Sequence, residues 1–331
     1  MVIQHACALL AFLNVAALFP VVAQDNAGAT NQTPRNRGHA MSFIPILSIT
    51  GEDGLIIGGG PRLDRFDDRR SPFASRMELV GAVGFKSGAV LIKYNALFLS
   101  LLNNIDLGIN ARMSQFEIRN FYGFGNASAR DKELEKSDFY RVNVTQFLID
   151  PALIFHLSTN ATFGIETVVK HFRLKQEGVR LLTASEADSL GNDITNAGIG
   201  LSVDVDTRDD QSFPRHGMLW RFEGWNSPGM FNQPGPFQKI IADFRFFGVA
   251  TLWNEVVLAL RMKGEKLEGK YPFQESAFLG GLGSLRGYRQ QRFTGDASVF
   301  GSVDLRFSLF QTRIIVPAEI GAVLLADAGR V

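Results

Sequence analysis

Residues 198–210 read GIGLSVDVDTRDD, and their alternation decides the class of fold. Ile199, Leu201, Val203 and Val205 fall on one side of an extended chain, with Ser202, Asp204 and Asp206 on the other, because successive side chains of a strand point to opposite faces. The pattern returns in SVDLRFSLF at 302–310, where Val303, Leu305, Phe307 and Leu309 oppose Ser302, Asp304, Arg306 and Ser308. Trp220 and Phe222 oppose Arg221 and Glu223, and Val256, Leu258, Leu260 and Met262 oppose Arg261 and Lys263. Each of these strands has one oily face and one charged face.

From Ser42 onward such segments recur, separated by turn clusters, with hardly any helical period between them. Candidate strands fall near 42–50, 54–63, 76–85, 88–99, 103–112, 115–122, 139–149, 151–158, 162–173, 197–206, 218–226, 238–249, 254–263, 298–309 and 317–327. Roughly 13 or 14 of them are expected to be real. Short links such as KSG at 86–88 and STNA at 158–161 mix with longer polar ones such as Lys175 to Asn196. A soluble two-sheet sandwich shows the same apolar–polar alternation, so periodicity alone leaves that reading open. Strand number, link lengths and an exported N-terminus favour an all-β fold, a transmembrane antiparallel β-barrel of an outer membrane. The supply of 5 Tyr and 3 Trp is thin for the aromatic girdles of such barrels, although there are 28 Phe.

The N-terminal stretch ACALLAFLNVAALFPVVAQD, from Ala6 to Asp25, is an apolar run broken by Pro20 and closed by Val21, Val22 and Ala23. It reads as a secretory signal peptide over 1–23, cut after Ala23, the rival being a retained anchor. Cys7 is the single cysteine and would leave with the leader, so no disulfide framework is expected. Residues 24–41 read as a polar, disordered lead, and 42–331 as the barrel domain. No other apolar run is long enough for a spanning helix. The 331-residue chain carries a formal net charge of +1 and no long charge run, which argues against nucleic acid as a partner.

Between the segments near 254–263 and 298–309 lies GGLGSLRGYR, at 280–289. The stretch is too glycine-rich for a strand or helix, yet it holds an arginine among apolar residues. It resembles the glycine-rich loop with an R-G-[FY] tripeptide of the Omp85 family, also called BamA/TamA or bacterial surface antigen D15. The matching residues are Gly280, Gly281, Leu285, Arg286, Gly287 and Tyr288. Other segments resemble the same family: the strand and turn D-x-R-D then P-x-x-G at Asp206, Arg208, Asp209, Pro214 and Gly217, NFYGFGN at 120–126, GEDGLIIGGG at 51–60, and LLADAGRV at 324–331.

The resemblance implies that the loop folds into the barrel lumen and that Arg286 pairs with carboxylates on the wall, by position Asp304 and Asp327. A guanidinium is costly to desolvate unless paired, and its planar fork suits a carboxylate. Asp304 lies on the polar face of its strand, whereas Asp327 has apolar neighbours two residues away, Leu325 and Val323. The bland alternative is an exposed arginine in an outer loop.

The resemblance further implies a non-enzymatic role, helping polypeptides or lipids insert into or cross the outer membrane, with membrane lipid and client chains as partners. Between Ala23 and Ser42 there is no room for a POTRA domain, so a separate periplasmic subunit is a candidate partner. The family barrel has 16 strands, and the chain stops at Val331 inside what should be a strand, so the barrel is expected to be incomplete here. A passive solute pore and a structural surface protein are the rival functions. The residues carry no enzyme signature: there is no G-x-S-x-G, the glycines 58–60 lack a phosphate-loop Lys-Ser/Thr, and His5, His39, His156, His171 and His216 have no metal-ligand spacing. Asp204, Asp206, Asp209 and Asp210 do not match a calcium loop. No metal or other cofactor is expected.

Overall fold

The computed structural model describes residues 38–67, 70–102, 104–117, 120–174, 181, 193–251, 255–313 and 317–331. The expected leader and most of the expected lead lie outside them. The first strand already begins at Gly38, which pairs with Phe66, so His39 to Met41 belong to the sheet rather than to the lead.

Among the described residues thirteen strands form one antiparallel sheet in which successive wall strands are spatial neighbours. They are β1 (Gly38–Thr50), β2 (Gly54–Asp67), β3 (Arg70–Gly84), β4 (Val90–Leu102), β5 (Ile105–Ser114), β6 (Val144–His156), β7 (Ala161–Leu174), β8 (Asp193–Asp206), β9 (Gly217–Ser227), β10 (Phe237–Thr251), β11 (Glu255–Gly269), β14 (Ala297–Arg313) and β15 (Pro317–Arg330). The short pair β12 (Ala277–Leu279) and β13 (Phe293–Gly295) lies apart, in the segment joining β11 to β14. A five-residue helix α1 (Lys132–Lys136) interrupts the segment between β5 and β6. The wall strands run from 10 to 17 residues, enough for a tilted crossing of hydrocarbon, which takes about 9–11 residues. Among the described residues no helix is long and apolar enough to cross a membrane.

The outward face follows the alternation. Ile199, Leu201 and Val203 are exposed, as are Trp220, Phe222, Met262 and Val303, and all lie on the oily faces. The inward face is polar at mid-height but turns apolar towards one rim, where Val144, Phe172, Phe237, Leu267 and Phe300 are buried. These residues receive the segment between β11 and β14. Phe273 packs with Phe121, Val142, Val144 and Phe172; Ala277 packs with Phe237 and Leu267; Leu279 and Leu285 pack with Phe300. The hydrophobic core therefore sits inside the wall, between the wall and its own loop.

The curvature follows from that loop. In a flat sheet β1 and β15 would lie about 58 Å apart at 4.8 Å per strand. Arg286 nevertheless bonds Asp327 on β15, while Arg289 bonds Glu52 in the turn between β1 and β2. Three residues of chain reach no more than about 11 Å, so the sheet must curl round the loop as a barrel wall. Among the described residues β1 and β15 each pair with one neighbour and not with each other.

The expected strands differ in two places. The described residues of 115–122, which are 115–117 and 120–122, do not join the wall: Asn120 makes one isolated bridge to Arg141, and Phe121 is buried against Phe273. The segments 139–149 and 151–158 belong largely to a single strand, β6, which passes straight through Pro151. Pro151 pairs with Ile109 of β5, while the ladder to β7 lapses between Ile149 and Ala152, as a residue without an N–H requires. The links KSG and STNA fall on opposite rims: residues 85–89 share a rim with the long loops, and 157–160 lie on the other.

Candidate functional site: the lumen loop

The loop owes its shape to two glycines and a set of local bonds. Gly280 and Gly281 hold φ of 117° and 91°, where side chains are strained, and a Cβ on Gly280 would sit 2.2 Å from the Arg289 carbonyl oxygen. Gly281 N donates to the Tyr288 carbonyl at 3.1 Å, Tyr288 N to Leu285 O at 3.1 Å, and Gly280 N to Ser284 Oγ at 2.9 Å. Gly287 needs neither freedom: its φ is not positive and a Cβ there meets open space. Leu285 is buried, and Tyr288 packs edge-on to Phe293 at 5.2 Å.

Arg286 sits between two strands. Its Nε donates to Asp327 Oδ2 at 2.9 Å, its backbone N–H to the same oxygen at 3.0 Å, and its Nη2 to Asp327 Oδ1 at 2.5 Å and to Asp304 Oδ1 at 2.7 Å. Asp327 thus takes three of the four bonds. Asp304 pairs in register with Leu325 and Asp327 with Ser302, so the carboxylates are diagonal neighbours on the inner face. Leu325 and Val323, the apolar neighbours of Asp327, are exposed, on the last strand of the described sheet. The hydrogen bonds to Asp327, then those to Asp304, raise the Arg286 pKa above the ordinary arginine value.

The D-x-R-D turn lies on the opposite rim and is self-contained. Arg208 forks onto Asp206 at 2.8 and 2.7 Å, which holds the guanidinium more firmly protonated than usual. Asp209 Oδ1 accepts from the backbone of Asp210, Arg215 and His216, and those bonds keep its carboxyl below the usual range. Gly217 has φ of 99°, and a Cβ there would strike the Thr207 carbonyl oxygen at 2.2 Å. Pro214 offers its carbonyl to Arg306 at 3.5 Å. The turn motif and the lumen loop therefore form two separate sites.

Sequence reasoning missed several groups round the loop. Glu275 lies in the one-turn 3-10 helix Phe273–Glu275. Lys170 Nζ donates to both its oxygens at 2.8 and 3.0 Å, Asn196 donates to Oε1 at 3.1 Å, and Lys239 approaches Oε2 at 3.8 Å while bonding Glu265 at 2.7 Å. Burial alone would raise the Glu275 carboxyl, but the charges of Lys170 and Lys239 outweigh it and hold the group below its ordinary value. Glu275, Lys170, Lys239 and Glu265 line a polar cavity of about 290 Å³ together with Lys263, Gln146 and Gln274. Asp243 bonds Arg261 and Arg245 at mid-wall, and Arg261 reaches the Gly283 carbonyl at 3.1 Å. NFYGFGN at 120–126 lies over the loop: Asn120 Nδ2 donates to Gln290 O, Gly125 N to Thr294 O, and the Asn126 amide pairs with the Val331 backbone. The only hint in the sequence was alternating charge on inner faces, which does not say which distant residues meet. Among the described residues no group of His, Cys, Asp and Glu is arranged to hold a metal ion.

An antiparallel barrel wall of long strands, oily outside and ion-paired inside, with an arginine-anchored loop in its lumen, defines a membrane β-barrel of the loop-plugged kind. A model of the Omp85 superfamily domain matches residues 102–331, and the chain belongs to that superfamily. In fold it is similar to the crystal structure of BamA from Haemophilus ducreyi lacking POTRA domains 1–3, with a TM-score of 0.61, 14% identity, and coverage of 89% of this chain and 57% of that one. The chain spans somewhat more than half of that structure's length. No curated protein matches it.

Proposed function

We propose that this chain is a bacterial outer-membrane barrel that assists the insertion or translocation of polypeptides or lipids, without turnover chemistry. The observation that carries this reading is the docked loop: Arg286 pins it to Asp304 and Asp327, and Leu279 and Leu285 pack it against Phe300 at the long-loop rim of the wall. Such a lumen is a poor conduit for a steady flow of solute, so transport would depend on the wall and on loop movement. Outer-membrane lipid bathes the exposed oily face, a leader ending at Ala23 directs export, and a periplasmic subunit presents the client.

The test is reconstitution in planar and vesicle bilayers. Small, fluctuating currents together with faster folding of a second barrel protein into the same vesicles are expected. A steady large conductance with no effect on client folding would replace this reading with that of a passive pore.

A further inference from the structure

Beside the Arg286 anchor the loop carries a second one. Arg289 Nη1 donates to Glu52 Oε1 at 3.0 Å, and its Nε lies 3.3 Å from Glu135 Oε1. Glu52 is buried in the turn between β1 and β2 and takes Arg141 on its other oxygen at 3.2 Å. Glu135, on α1, is held by Tyr122 Oη at 3.0 Å and by Arg130 Nε at 3.0 Å. The turn receiving Arg289 is itself stiff: Lys86 N donates to Asp53 O at 3.0 Å, Lys86 Nζ to Gly51 O at 2.7 Å, and Ser87 Oγ to Asp53 Oδ1 at 2.7 Å. Glu52 and Arg289 are 237 residues apart in sequence.

We propose that Arg289 is a positioning residue that straps the lumen loop to the first hairpin, so that a single loop joins the two ends of the described sheet. Arg286 holds β14 and β15; three residues on, Arg289 holds the β1–β2 turn. The backbone bonds from Tyr288 to Leu285 and from Gly281 to Tyr288 close the loop between the anchors into one compact turn. Movement at one anchor is therefore carried to the other. The functional consequence rests on the insertion reading above: the strap sets how freely the first hairpin departs from the lumen loop.

The test is hydrogen exchange on the barrel in lipid nanodiscs, comparing wild type, Arg289→Gln, Glu52→Gln and the double variant. Coupling is reciprocal, so Arg289→Gln is expected to speed exchange at residues 51–55 and Glu52→Gln at 284–292, each about tenfold for the loss of one charge-assisted hydrogen bond. The double variant is expected to fall short of the product of the singles, because both remove the Arg289–Glu52 contact while each also loses a second partner of its own, Glu135 for Arg289 and Arg141 for Glu52. Arg289→Lys, which keeps the charge and loses the fork, is expected to fall between. Unchanged exchange at 51–55 in Arg289→Gln, or multiplied effects in the double variant, would overturn the strap. The readout is independent of what crosses the membrane, so it can fail while the insertion reading stands, and the reverse.

Discussion

Arg286→Ala and Arg286→Lys separate the loss of charge from the loss of shape. Alanine keeps the backbone bond to Asp327 but removes the three made by the guanidinium, leaving two neighbouring carboxylates whose side chains are only 17% and 8% exposed. Removing one partner of a buried pair costs about 3–5 kcal/mol, and water in the lumen puts this site at the lower end. At about 3 kcal/mol the docking equilibrium of the loop shifts roughly 150-fold towards the undocked state. Lysine restores one positive charge but bonds as a point, so its loss is about 1–1.5 kcal/mol, near tenfold. Because Asp327 takes three of the four bonds, Asp327→Asn is expected to loosen the loop more than Asp304→Asn. The assay is protease cleavage and hydrogen exchange at 280–292 in the folded barrel. Wild-type protection in both Arg286 variants, or equal effects of the two Asp variants, would refute the reasoning.

Acid is expected to loosen the loop at its Glu275 end. Its carboxyl is depressed in the folded protein, so its contribution is fully present above the ordinary value of 4.5 and is lost as pH falls through the lower folded value; protection at 272–278, taken as exchange relative to the intrinsic rate at each pH, should be flat from pH 8 to 5 and be lost below the ordinary value of 4.5, and a loss already between pH 7 and 5 would contradict the assignment. The motif glycines are expected to divide. Gly280→Ala should undock the loop, since its Cβ meets a backbone oxygen at 2.2 Å, while Gly287→Ala should leave protease resistance unchanged; equal sensitivity of the two would show that the loop geometry is wrong.

The wall was legible because alternation is local: the oily positions 199, 201 and 203 or 256, 258 and 260 could be counted without knowing any partner. Two failures have local causes as well. The segments expected separately at 139–149 and 151–158 are largely one strand, because β6 loses only part of one ladder at Pro151. Residues 115–122 look like a strand because Phe116, Phe121 and Tyr122 are apolar, but Phe121 and Tyr122 serve the packing between loop and wall. The three members of the Arg286 cluster were named from a motif and from strand position, and the fold brings them together. Glu52, Glu275, Lys170 and Arg289 were not found, because their partners lie from about one to several strands away and no spacing encodes them. The apolar inner rim was also missed. Val144, Phe172 and Phe237 look like ordinary strand residues until a loop is known to pack against them.

The most direct test of the account returns to residues 199–204. Spin labels placed singly at cysteines introduced as Ile199→Cys, Leu201→Cys, Ser202→Cys, Val203→Cys and Asp204→Cys, in the barrel embedded in bilayers, report collisions with oxygen, which concentrates in lipid, and with a water-soluble nickel chelate. A barrel wall predicts that 199, 201 and 203 are open to oxygen and closed to nickel, while 202 and 204 are shielded from lipid. If instead 199, 201 and 203 were closed to both reagents, as in the core of a soluble sandwich, the membrane barrel and all that is built on it would be contradicted.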